Sequence, residues 1–269
     1  MGKKYELLKD QTVFFDGVTL YRIRALRDIP WRGVKAGDLG GWVASERNLS
    51  QRGDAWIYGD AKVSGDARVF GNAQVHDKAI ISGNARVSGS AQVSGEARIR
   101  GMAQVCGFAL VRDQAMVCGN AVVTDDALVE GVAEIRDYAE IYNDATVKDA
   151  HVRDQGEIAG DACVNGHVVI SGVTSLYDCA CVQNYEDWLT VSDFTGTVCF
   201  TDDYGQNIEC LHLDGPLTAY RSGEGDIIVR AEGYMDTLHE FDECGDATCK
   251  ALAAFIRAQM NGETGGTGE

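Results

Sequence analysis

From Gly53 to Lys148 one pattern of small, polar and β-branched positions recurs every six residues, sixteen times without an insertion. Each unit reads Gly/Asp/Asn–x–Ala–x–Val/Ile–x, as in Gly53-Asp-Ala-Trp-Ile-Tyr58 and Gly65-Asp-Ala-Arg-Val-Phe70. All sixteen third positions are Ala and all sixteen fifth positions are Val or Ile. Alternation of inward and outward side chains over positions three to six is the period of a strand. A β-branched residue at position five suits a pleated, buried surface. Gly, Asp or Asn at position one tolerates the left-handed backbone of a corner. A helix is excluded, because a period of six keeps no single face of a 3.6-residue turn inward. Short strands joined by identical corners stack into a parallel solenoid with coils ~4.8 Å apart.

The pattern loosens after Lys148. Asp149-Ala-His-Val-Arg153 is one residue short, and five further hexads run from Asp154 to Gln183. Twenty-two units at three per coil make about seven coils, a rod roughly 35 Å long. These hexads resemble the hexapeptide-repeat family, and that resemblance implies a left-handed parallel β-helix with three hexads per coil. The lead-in Val34-Lys-Ala-Gly-Asp-Leu-Gly-Gly-Trp-Val43, followed by the first strict hexad, is similar to bacterial and phage hexapeptide proteins that carry transferase labels. That likeness spans about residues 34–150 and transfers no catalytic residue.

The whole is an all-β solenoid with an N-terminal β cap and a small C-terminal α+β module. Residues 1–52 form the cap, 53–183 the solenoid, 184–261 an acidic module and 262–269 a frayed tail. In the cap, Asp16-Gly17 between two alternating runs predicts a hairpin. A solenoid end needs such a lid, since it exposes strand edges and an apolar cross-section. In the module, strands are expected at 197–201, 207–213, 217–220 and 226–230. Thr237-Leu-His-Glu240 fits a helix capping box.

Composition narrows the function. Both prolines, Pro30 and Pro216, lie outside the repeat, as central strands require. No 18-residue apolar run occurs, and the first residues lack an apolar leader, so neither a membrane span nor a secretion signal is expected. Nine scattered cysteines suit reduced thiols in a bacterial host cytoplasm. Net charge is −17, split as +4 over residues 1–52, −8 over 53–183 and −13 over 184–269. Such acidity disfavours direct nucleic-acid binding and favours a basic protein partner.

Outward positions change along the repeat. Lys62, Arg68, Arg86 and Arg98 come early, Leu110, Met116, Val122 and Leu128 in the middle, Glu134 and Glu140 late. With Met102 and Phe108, the middle residues form an exposed apolar belt that predicts a homo-oligomer interface, dimeric or trimeric.

Three chemistries can be weighed on this scaffold. Hexapeptide acyltransferases use a histidine base, and the resemblance makes His151, in the five-residue break, the candidate base for an acyl-CoA enzyme. Cys210, His212, His239, Cys244 and Cys249 are zinc ligands by type, but their spacing lacks a tight CxxC pair. Binding is the third. Glu186, Asp187, Asp202, Asp203, Asp236, Glu240, Asp242 and Glu243 supply an acidic surface for a basic partner. The reading is a binding and assembly protein, of phage or prophage type, that needs no cofactor. It would engage, and inhibit, a basic host protein that handles nucleic acid. Acyl transfer is the second reading.

Overall fold

The computed structural model describes residues 2–166, 168–172, 175–177, 180–182, 188–191, 196–201, 207–213, 217–221, 226–231, 234–243, 250, 252–254 and 256–257. Two-residue strands at positions four and five of each hexad pair in parallel with the strand eighteen residues on. Gln74 pairs with Gln92, Arg98 with Met116, and Gln104 with Val122. Three sheets result. Face I runs from Trp56–Ile57 to Cys181–Val182, face II from Lys62–Val63 to Val169–Ile170, and face III from Arg68–Val69 to Ser175–Leu176. Every alanine at position three and every Val or Ile at position five of the strict repeat is fully buried. The core is thus two columns per face, one small and one β-branched.

Backbone bonds join the coils. Position-four amides donate upward to position-three carbonyls, as Gln92 N to Ala109 O at 2.9 Å and Leu110 N to Ala127 O at 2.9 Å. Corner residues have positive φ, for example +66° at Gly107, where an added Cβ would lie 2.5 Å from the Asp125 nitrogen. At the described aspartate corners of the solenoid other than Asp149, the carboxylate accepts the corner amide one coil on. Asp77 Oδ2 accepts Gly95 N at 3.0 Å, Asp113 Oδ2 accepts Gly131 N at 3.2 Å, and Asp154 Oδ2 accepts Gly172 N at 3.1 Å. That bond offsets the left-handed strain a side chain incurs there.

The cap closes the first coil through its carbonyls. Strands Tyr5–Phe15 and Val18–Ala25 form the expected hairpin, with Asp16 and Gly17 at φ +49° and +78°. Strand Leu39–Val43 then pairs antiparallel with the hairpin and parallel with Lys62–Val63. Trp42 N donates to Ala61 O, Ala44 N to Val63 O and Ser50 N to Val69 O. Two buried side chains finish the job. Lys4 Nζ donates to Ala55 O at 2.8 Å, and Asn48 Nδ2 to Ala67 O at 2.9 Å and Gly65 O at 3.0 Å. Burial lowers the Lys4 ammonium to about 8, with Arg27 adding to the shift and Asp54 opposing it.

In the C-terminal module, Trp188–Val191, Leu217–Arg221, Ile227–Ala231 and Tyr234–Thr237 form an antiparallel sheet. Gly196–Thr201 and Asn207–Leu213 make a separate hairpin. The helix Leu238–Glu243 starts as the capping box predicts, with Glu240 N donating to Thr237 Oγ1 at 3.2 Å. Among the described residues no helix is long and apolar enough to cross a membrane.

Candidate functional site in the late coils

The short unit at Asp149 removes one corner residue and leaves the strands in register. Glu134 pairs with His151 and Glu140 with Glu157, now seventeen residues on. The lost residue is position two. Its consequence shows at Val132, whose amide donates to Asp149 Oδ1 at 2.8 Å rather than to a corner carbonyl. Ala150 and Val152 stay fully buried. The break therefore leaves the core at His151 closed. His151 stands half-exposed on face II, its Nδ1 3.4 Å from Glu134 Oε2, with Arg136 Nε 4.0 Å from Glu134 Oε1.

A cleft of about 430 Å³ lies on face III of the same coils, lined by Tyr138, Glu140, Gln155 and Glu157. The four make a two-by-two block. Tyr138 and Glu140 come from one coil, Gln155 and Glu157 from the next, and Glu140 stands directly beside Glu157. Tyr138 is 64% exposed. Glu157 is held in place from both sides. Tyr142 Oη donates to its Oε1, and Ser175 Oγ lies 3.2 Å from its Oε2. Burial and the Glu157 carboxylate push the Tyr142 hydroxyl far above its ordinary range, so it remains a donor. Tyr142 and Tyr177 meet edge-on with ring centroids 6.5 Å apart. Adjacent carboxylates on neighbouring strands repel, so this block favours a bound cation. An exposed tyrosine at its rim adds a face to which a cation is drawn.

The wider field has the same sign. Residues 1–124 hold 17 Lys/Arg and 12 Asp/Glu, a net of +5, whereas residues 125–269 hold 7 and 29, a net of −22. Within the solenoid, residues 53–124 carry a net of +1 and residues 125–183 a net of −9, and the cleft lies in this acidic part.

The other expected residues fall as follows. Glu240 and Glu243 are exposed on the helix Leu238–Glu243, with His239 Nε2 3.7 Å from Glu243 Oε1. Asp242 is half-buried and paired with Arg257 at 2.8 Å, which gives it a structural task. Asp236 lies on strand Tyr234–Thr237, its side chain outside the described residues, as Glu186, Asp187, Asp202 and Asp203 are entirely. Cys210 stands opposite Cys199 and His212 opposite Thr197 in the hairpin backbone. Cys244 and Cys249 lie outside the described residues, among which no group of three metal-ligating side chains converges. His76 stacks flat on Tyr58 at 4.2 Å, and burial lowers its basicity. The apolar belt divides among the faces: Phe108, Leu110 and Leu128 belong to face I, Met102 and Val122 to face III, and Met116 to face II.

Two stretches, residues 61–77 and 79–95, match a family model described as YdcK beta solenoid repeat. Each is close to one coil long, and together they cover the early solenoid. No curated protein matches the chain.

Proposed function

We propose that this chain is a non-enzymatic binding protein whose acidic half engages a basic protein partner. The observation that carries the reading is the in-register placement of Glu140 beside Glu157, next to Tyr138, on the part of the solenoid, residues 125–183, with net charge −9. A lysine or arginine side chain entering the cleft would relieve the carboxylate repulsion and gain the tyrosine face. Glu240 and Glu243 would extend the same field over the terminal module and speed encounter with the partner. Inhibition of a nucleic-acid-handling host protein is one form of this reading, since a rigid run of carboxylates competes with phosphates for a basic groove.

The test is capture of partners from a bacterial lysate across a salt series, with Glu140→Lys and Glu240→Lys/Glu243→Lys variants alongside. A basic partner retained at low salt, lost near ~0.5 M and weakened in both variants is the expected result. Equal capture by the wild type and both variants would overturn the assignment. The Glu134–His151 pair favours acyl transfer as a second reading, because a carboxylate on one imidazole nitrogen orients the ring as a base. That reading requires acyl-CoA turnover that His151→Ala abolishes while the fold persists.

A further inference from the structure

Face I differs from its neighbours. Its position-four residues from Gln74 to Cys163 carry no charge, the charges of Arg112, Glu130 and Lys148 lying along one rim and Trp56 being buried beneath the cap, whereas face II presents Lys62, Arg98 and Glu134, and face III presents Arg68, Arg86 and Glu140. Face I has eight rungs, and its two leucines, Leu110 and Leu128, occupy the fourth and fifth, side by side in register. Phe108, 63% exposed, stands at the corner that leads into Leu110. An uncharged sheet face with an apolar centre is inexpensive to desolvate.

We propose that face I is the interface of an antiparallel homodimer, with the two-fold axis lying along the strand direction between the fourth and fifth rungs. Charge selects this arrangement. Antiparallel rods set the +1 half of each solenoid, residues 53–124, beside the −9 half, residues 125–183, of the other, and parallel rods set the two −9 halves together. The rung count then fixes the pairing. Leu110 meets Leu128 of the second copy twice, Gln92 meets Thr146, and Gln74 meets Cys163. Along one rim Arg112 comes opposite Glu130 of the other copy. Within one copy Arg112 Nε already donates to Glu130 Oε2 at 2.8 Å, so the dimer extends an existing ion pair into a network. A face ~35 Å long and ~13 Å wide gives an interface near the lower end of specific ones, which predicts a concentration-dependent dimer. The face III cleft stays open, so this inference stands independently of the partner proposed above.

A charge cycle on the full chain tests it, read by sedimentation equilibrium from ~1 to ~100 μM with circular dichroism as the folding control. Charged residues already occupy the same outward position at Arg98 and Glu134, so such variants are compatible with the fold. Wild type should dimerise. Leu110→Glu alone and Leu128→Lys alone should each raise the dimer Kd about 100-fold, because each buries an unpaired charge. The double variant should recover dimerisation, since antiparallel packing sets each new glutamate against a new lysine. Gln92→Arg provides a milder probe of the same face and should also weaken the dimer. A monomeric wild type at all concentrations would overturn the proposal, as would single variants that dimerise normally. Single variants that fail, with a double variant that stays monomeric, would contradict the antiparallel geometry.

Discussion

At the scale of single residues, the corner position is the most demanding in the repeat, and two chemistries meet the demand. Glycine accepts the positive φ without cost, and at Gly107 nothing larger fits beneath the Asp125 nitrogen. Aspartate pays the strain but returns a charged hydrogen bond to the coil above, as Asp113 does to Gly131. The two solutions should separate on substitution. Asp113→Gly keeps the backbone relaxed and loses only the bond, whereas Asp113→Ala loses the bond and keeps the strain. Alanine should therefore be the worse by about 1–2 kcal/mol in urea unfolding. Equal stability of the two variants would remove the left-handed strain from this account. The buried pair Lys4 and Asn48 follows the same logic at the rod's end, where each side chain supplies donors to carbonyls that no further coil can reach.

Among elements, the columns that run across coils decide what each face presents. Arg112, Glu130 and Lys148 stack at one corner, and the hydrogen bond from Arg112 chiefly holds the Glu130 carboxyl below its ordinary range. A lowered folded-state pKa means stabilisation that is fully present above the ordinary value of 4.5 and lost as pH falls through the lowered one. Glu130→Gln should therefore narrow its stability gap to wild type below pH 4.5, measured as thermal midpoints from pH 7 to 3. A gap that does not change with pH would show that the pair contributes nothing through ionisation. Much of this level was legible in the chain. The strict hexads fixed the rungs, Asp16-Gly17 the hairpin, Thr237 and Glu240 the helix start. The strand at 207–213 appeared where the alternation placed it, and those at 197–201, 217–220 and 226–230 within a residue. Strands Trp188–Val191 and Tyr234–Thr237 carried too little alternation to be read. The belt from Met102 to Leu128 looked continuous because consecutive hexads are neighbours in sequence, yet they lie on different faces in space. The Glu140–Glu157 contact was hidden for a related reason. The two residues stand seventeen apart rather than eighteen, and they come together only because the five-residue unit keeps the strands in register.

For the whole molecule, the governing feature is a rigid rod whose negative charge is concentrated in its late coils. Closed coils make the scaffold inert along most of its length, so function depends on what the faces present. Face III offers stacked carboxylates and a tyrosine in the acidic half, and face I offers an uncharged surface centred on two leucines. The most direct measurement of the central claim is calorimetric titration of the full-length protein with a lysine- and arginine-rich peptide, at low salt and at ~0.5 M. Wild type should bind at low salt, lose binding at high salt, and bind at least about tenfold more weakly as Glu140→Lys. Unchanged affinity in Glu140→Lys would contradict recognition of a basic partner through the face III cleft.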